Sequence, residues 1–246
     1  LNNTDVNTRV GWYSKSVRDA TSSADHDTMG QDDPSWGGAP IAFPRIQGAD
    51  AVGRVVAIGA SADPALIGER VMVDCWLRDW SQPMNREETG YFGSECDGGF
   101  AQYTLADRRN VHVVKSALTD AELATFACSW STAEGMLTRA GVDAQDVVLV
   151  TGASGGVGSA LVQLARRRGA VVVGLAAPAK HAQMADLGAD ALLVRAPEDL
   201  KGALRAAIGR DTVSVVADIV GGPYFETVID ALARGGRYTC SGAIAG

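Results

Sequence analysis

From Asp146 onward the chain alternates short apolar runs with amphipathic stretches. The runs at 147–150, 171–175, 191–194, 213–219 and 238–241 are β-branched or apolar, and the helical stretches between them are punctuated by Gly169, Gly188, Gly209 and Gly235-Gly236. Strands that are apolar without alternation are buried on both faces, which predicts a parallel sheet covered by helices and joined by right-handed crossovers. Just before them, Thr119-Asp120-Ala121-Glu122 has the form of a capping box. It predicts a helix running through Leu123, Phe126 and Ala127, followed by a second helical piece over 132–140.

The earlier residues read differently. The segments 52–58, 70–73, 99–104 and 111–114 are strand-like, separated by Gly, Pro and Asp turns, and show little helical spacing. A mostly β domain over 1–117 followed by an α/β domain over 118–246 is expected, with the join near Lys115 to Thr119. The segment 14–44 is long, polar and rich in Gly, Asp and Ser, which predicts a lid-like insertion. Leu1 falls inside what reads as a strand and Gly246 just after another, so the chain is expected to be a fragment of a longer protein.

Most of the chemical information lies in 147–158, where a buried run ends in a turn of small residues and a helical pattern follows. Val157, Ala160, Leu161, Leu164 and Ala165 share one helical face, Arg166-Arg167-Arg168 suit the negative end of that helix, and Gly169 stops it. Ala153, Gly155 and Gly158 give the spacing A-x-G-x-x-G. A pyrophosphate can sit on a helix N-terminus only if the turn feeding it is free of bulky side chains. Ala153, Ser154, Gly155, Gly156, Val157 and Gly158 are therefore the candidate phosphate cradle; the alternative is an ordinary strand-turn-helix that holds no ligand.

With 246 residues and 46% hydrophobic composition the chain can bury a full core. It has no apolar run long enough to span a bilayer and no secretory signal pattern, so a soluble, cytoplasmic protein is expected. The net charge is −7: residues 1–100 hold 8 Lys/Arg against 15 Asp/Glu, and residues 101–246 hold 14 against 14. That balance argues against a nucleic-acid surface, which needs a basic patch. Cys75, Cys96, Cys128 and Cys240 form no C-x-x-C pair and fit neither a disulfide framework nor a closed zinc knuckle. His26, His112 and His181 show no metal spacing, and His112 reads as structural.

One arrangement joins these features. Residues 43–56 (FPRIQGADAVGRVV), Gly68-Glu69-Arg70-Val71, residues 97–103 (DGGFAQY), the glycine turn, Asp218-Ile219-Val220-Gly221-Gly222 and Arg234-Gly235-Gly236-Arg237-Tyr238 follow one another in order. In this the chain resembles the medium-chain dehydrogenase/reductase superfamily along essentially its whole length. The resemblance implies an α/β fold in which a GroES-like, mostly β catalytic domain precedes a Rossmann domain, a doubly wound parallel sheet, with nicotinamide held in the cleft between them. It also implies further segments at both ends and a homodimer through the Rossmann sheet edge.

Members divide by zinc. Against the zinc alcohol dehydrogenases, Asn2 stands where the first ligand is a cysteine and Ala49 where the second is a histidine; Cys128 alone keeps a ligand type. The structural zinc lobe would need four cysteines, and its stretch holds only Cys75 and Cys96. No metal is expected. The pattern resembles the zinc-free branch of quinone oxidoreductases and enone reductases, whose N-x-x-D and R-x-G-x-Y elements are similar to residues 2–5 and 9–13, although Asn7 stands where a tyrosine is common.

The resemblance implies substrate hydrogen bonds from Asn2, Thr4, Asp5 and Tyr13, each of which could equally brace its loop. It places Thr132, Val220 and Ser241 beside the cofactor; Thr132 would also serve as a helix N-cap. No acid occurs between Val171 and Gln183 to hold ribose hydroxyls, and Ala176, Ala177 and Lys180 stand there instead. Lys180 can pair with a 2′-phosphate, which gives NADP as the expected cofactor, or it is a surface lysine that touches no ligand. The expected function is metal-free hydride transfer from NADPH to a quinone or α,β-unsaturated carbonyl, both small molecules. The alternatives are a zinc alcohol dehydrogenase with atypical ligands and an NADPH-binding sensor or structural protein without turnover.

Overall fold

The structure is a computed structural model that describes residues 1–13, 17, 20, 21, 40–83, 85 and 89–245. Most of the expected lid-like insertion, 14–44, and His26 within it lie outside the described residues. The chain divides into two compact units, one made chiefly of residues 1–128 and the other chiefly of residues 129–246.

The first unit holds β1 (Val52–Arg54), β2 (Arg70–Val73), β3 (Trp76–Arg78), β4 (Thr89–Tyr91) and β5 (Val111–Val113), with α1 (Asn3–Arg9) and α2 (Asp120–Ala124). β1, β2 and β5 form one antiparallel sheet, and β3 and β4 a second antiparallel pair. Ala49, Ala51, Val73, Cys75, Tyr91 and Phe92 are its buried apolar cluster.

The second unit contains α3 (Ser129–Arg139), β6 (Val147–Val150), α4 (Gly156–Arg167), β7 (Val171–Leu175), α5 (His181–Asp186), β8 (Ala191–Leu193), α6 (Leu200–Ile208), β9 (Val213–Asp218), α7 (Phe225–Asp230) and β10 (Leu232–Cys240). Its five strands run parallel in the order β10-β9-β6-β7-β8. Alternate residues along each strand feed opposite layers. Val148, Val150, Val172, Val215 and Ala217 pack with α3, α4 and Met184 of α5. Val147, Leu149, Val173, Leu175, Val213 and Val216 pack with Leu200 and Leu204 of α6 and Val228 of α7. This is the expected doubly wound α/β sheet, and the chain reverses direction across it between β6 and β9.

Several local expectations are corrected. The N-terminus is helix α1, not a strand: the Asn2 side chain accepts from the Thr4 N–H while the Asp5 carboxylate accepts from the Asn2 N–H, a complete capping box. The run expected as a strand over 99–104 joins no sheet. The N–H of Gly99 donates to the Gly48 carbonyl and that of Phe100 to the Gln47 carbonyl, so its first residues pack on a loop, while residues 101–105 are exposed. β3 and β4 lack the alternating pattern that marks a strand and were not expected. The Thr119 capping box is present, but α2 stops at Ala124, where the Thr125 hydroxyl donates back to the Glu122 carbonyl. α3 begins at Ser129, before the expected 132. The compact first unit runs to Cys128 and so includes α2, which Arg70 of β2 ties in by donating to Asp120 and to the Ser116 and Leu118 carbonyls. No helix among the described residues is long and apolar enough to cross a membrane.

The central strand sets the stability of the second unit. Leu149→Ala, emptying a fully buried position against Leu200 and Leu204, is expected to cost about 2–5 kcal/mol in urea denaturation; a loss under about 1 kcal/mol would contradict burial of β6 on both faces.

Candidate functional site

β6 delivers the chain into its turn at Thr151, whose N–H donates to the Ala217 carbonyl of β9 and whose hydroxyl donates to the Asp218 carboxylate. Gly152 follows at φ +55°, a left-handed conformation that suits glycine, and a Cβ there would lie 3.1 Å from Ile219 and Val220. The Gly155 N–H returns to the Gly152 carbonyl and closes the turn. Gly155 then caps α4. At Gly158 a Cβ would lie 2.2 Å from the Gly152 carbonyl oxygen and 2.8 Å from the Ala153 Cα, so the first turn of α4 rests directly on backbone.

Gly155 and Gly156 are exposed, Ser154 and Val157 half-buried. The N–H groups of Gly156, Val157 and Gly158 have no acceptor among the described residues, as the first turn of a helix requires, and they lie at the carboxyl end of β6, beside the chain reversal. A cradle closed to side chains and rich in free amides fits a dinucleotide pyrophosphate.

The other candidates of this unit fall into two groups. Ala153 is fully buried, donates to the Leu175 carbonyl and serves packing. Ala176 is buried as well, its carbonyl 3.2 Å from a ring nitrogen of His181. Lys180 ends the turn Pro178–Lys180 after β7 and is exposed, with no ion pair among the described residues. Thr132 lies half-buried within α3 and not at its cap.

Val220 and Ser241 are brought together by Asp218, which sequence reasoning passed over. Its carboxylate accepts from Thr151, from the Val220 and Gly221 N–H groups and from the Tyr238 hydroxyl, and its carbonyl accepts from the Ser241 N–H. Burial alone would push this carboxyl up. The Thr151 hydroxyl, the two amides and the Tyr238 hydroxyl more than offset that and hold it below the usual carboxylate range. Gly152 was missed as well; its position directly after the strand run, where the chain must reverse, was the available signal.

In the first unit, Asn2, Thr4, Asp5 and Tyr13 do meet, around α1. The two oxygens of Asp5 are taken by the Asn2 and Ala49 N–H groups, at 2.7 and 3.0 Å, so Asp5 braces α1 against the loop at Ala49. The Thr4 and Tyr13 hydroxyls are 2.7 Å apart, and burial raises the Tyr13 phenol despite its bonds to Thr4 and Asn7. Asp50, another residue not anticipated, accepts from the Cys128 N–H at 2.8 Å and from the Asn2 side chain at 3.5 Å. Burial raises its carboxyl above the usual range in spite of both bonds.

The donor set does not suit a metal. Asn2 is occupied as a helix cap, Ala49 is a fully buried methyl, and no group of three or more His, Cys, Asp or Glu among the described residues could hold an ion.

Comparisons with known proteins agree with both halves of this description. Residues 2–116 match the alcohol dehydrogenase GroES-like domain and residues 156–246 the zinc-binding dehydrogenase family model. The chain belongs to the medium-chain dehydrogenase/reductase superfamily. It is 32% identical over 222 residues to prostaglandin reductase-3 of Bos taurus, covering 89% of this chain and 51% of that protein. To acryloyl-coenzyme A reductase of Metallosphaera sedula it is 28% identical over 204 residues, covering 79% and 59%. A solved Sinorhizobium meliloti structure, provisionally named an alcohol dehydrogenase, is 46% identical with a TM-score of 0.85, over 100% of this chain and 65% of that one. The chain thus spans between about half and two-thirds of these relatives. Members of the superfamily bind nicotinamide cofactors.

Asp218 gives the site a pH signature. Its folded carboxyl lies below its unfolded value of about 3.9, so its contribution to stability is full above that pH and lost as pH falls through the lower, folded value. Asp218→Asn is expected to lower the urea midpoint clearly at pH 7 and far less at pH 2–3. A difference independent of pH would contradict the carboxylate's role as acceptor.

Proposed function

We propose that this protein reduces α,β-unsaturated carbonyls or quinones with NADPH and without a metal. The carrying observation is the glycine cradle at the start of α4, closed to side chains and rich in free amides; by the resemblance, Asn2, a helix cap, and Ala49, a buried methyl, stand where zinc-dependent members place two of their three ligands. The reductases among its relatives support the same direction.

The free amides of Gly156, Val157 and Gly158 would hold the pyrophosphate, and the ammonium of Lys180 the 2′-phosphate. Val220 and Ser241, set by Asp218, would line the same end of the sheet. Reduced nicotinamide supplies a hydride to an electrophilic carbon.

The chain's own task is then to orient the acceptor and stabilise the charge that develops on its oxygen. When the Thr4 hydroxyl donates to the Tyr13 oxygen, the Tyr13 O–H is free to donate to a substrate carbonyl, and a phenol raised by burial stays protonated for that purpose. Asp5 keeps α1, which carries Thr4, fixed through its two backbone bonds. Conjugation in the substrate spreads the remaining charge, so no Lewis acid is required, and solvent can deliver the final proton.

With full-length protein, NADPH should bind more tightly than NADH, and Lys180→Ala should weaken NADPH about tenfold while leaving NADH unchanged, as read by fluorescence titration. Equal loss for both cofactors would overturn the Lys180 assignment. Enones or quinones should be turned over, with Tyr13→Phe lowering kcat about 10²-fold. Stoichiometric zinc by elemental analysis, with chelator-sensitive activity, would overturn the metal-free reading.

A further inference from the structure

The chain leaving β7 carries a histidine whose ring is hung from the backbone beside the glycine cradle. Ala153 of the cradle donates to the carbonyl of Leu175, the last residue of β7. The next residue, Ala176, is buried and held at both ends: its N–H donates to the Leu193 carbonyl of β8, and its own carbonyl lies 3.2 Å from Nε2 of the half-buried His181. A carbonyl oxygen can only accept, so Nε2 carries the proton and donates. Nδ1 of the neutral ring is then a lone-pair acceptor, and it has no partner among the described residues. β7 is the second strand of this unit, and in a doubly wound dinucleotide fold the chain after that strand meets the adenosine ribose. His181 follows Lys180 directly there.

We propose, on the reading that the cradle holds a nicotinamide dinucleotide, that His181 is a second residue discriminating NADPH from NADH and that its protonation state sets the preference. The neutral ring presents Nδ1 as an acceptor. That suits a ribose hydroxyl, of which NADH has two at this position and NADPH one, and it opposes the oxygens of a 2′-phosphate dianion, which only accept. The protonated ring donates from both nitrogens. Nε2 keeps the Ala176 carbonyl, and Nδ1–H makes a charge-assisted bond to the phosphate.

Other charges on the elements around the ring are few. α5 packs on β8 and on the turn 178–180, and its Met184 reaches the layer that contains α4. The turn carries Lys180, α5 carries Asp186 near its other end, and β7 and β8 carry no charged residue. Arg166 of α4 is paired with Asp190 at 2.8 Å, while Arg167 and, beyond β8, Arg195 are exposed. Lys180 opposes a proton on the ring and a 2′-phosphate favours one, so the proton arrives with NADPH. A phosphate monoester behaves in the opposite sense: drawn onto Lys180 alone, it gives up its second proton, whose pKa is about 6. The sign of proton exchange therefore separates the two residues.

The test reads binding and needs no turnover. Full-length protein is titrated calorimetrically with NADPH and with NADH near pH 7 in two buffers of different ionisation enthalpy, and both dissociation constants are followed from pH 8.5 to 5.5. NADPH is expected to bind with net proton uptake and NADH with none, and the preference for NADPH should rise about tenfold across that range. In His181→Gln, whose amide can still donate to the Ala176 carbonyl, the uptake and the rise should both vanish. Lys180→Ala should lower the preference at every pH and keep the rise. Proton release on binding NADPH, a preference that is flat or falls in acid, or the same uptake in His181→Gln would overturn the role of His181 and leave the cofactor reading standing. Failure of both cofactors to bind would overturn both. Should His181→Gln fail to fold, the sign of proton exchange in the unmodified protein decides by itself.

Discussion

Helix α4 meets the end of β6 backbone against backbone, and the rest of the second unit is arranged around that contact. A side chain at Gly158 would occupy the place of the Gly152 carbonyl oxygen, and Gly152 itself must be left-handed for the chain to turn. Once those two residues touch, α4 lies close enough for Ala160, Leu161, Leu164 and Ala165 to enter the buried layer above the sheet. The same contact leaves the first amides of the helix facing outward. Core packing and anion affinity are thus two consequences of one close approach.

Two aspartates, one in each unit, fix the loops of their own unit. Asp218 gathers the ends of β6, β9 and β10 by accepting four hydrogen bonds on its carboxylate and one on its carbonyl. Asp5 closes the capping box of α1 and holds the Ala49 amide. Both are buried acids whose oxygens are spent on donors fixed by the fold, the condition under which a buried carboxylate stabilises a structure. Asp50 differs. Among the described residues it accepts only from the Cys128 N–H and the Asn2 side chain, and burial raises its carboxyl above the usual range in spite of both.

Legibility from sequence varied with how local each cause was. The runs at 147–150 and 171–175 were readable because strands buried on both faces must be apolar throughout, and the structure reproduces both limits. The capping box at Thr119 was readable because its partners are three residues apart. The segment 99–104 was misread because its pattern suits a strand while the Gly99 and Phe100 amides are taken by the loop at Gln47 and Gly48, about fifty residues away in sequence. Asn2 and Asp5 were read for chemistry, yet their first use is to start a helix.

Residue identity alone established the doubly wound sheet and the glycine turn, since each follows from side-chain chemistry or from spacing within one element, and the resemblance gave the order of the two domains. Tertiary structure alone decided that Ala153 packs inward, that Gly152 makes the turn and that Asp218 gathers three strand ends. Those outcomes depend on which distant backbone groups arrive at the same place, and no local pattern of residues encodes that meeting.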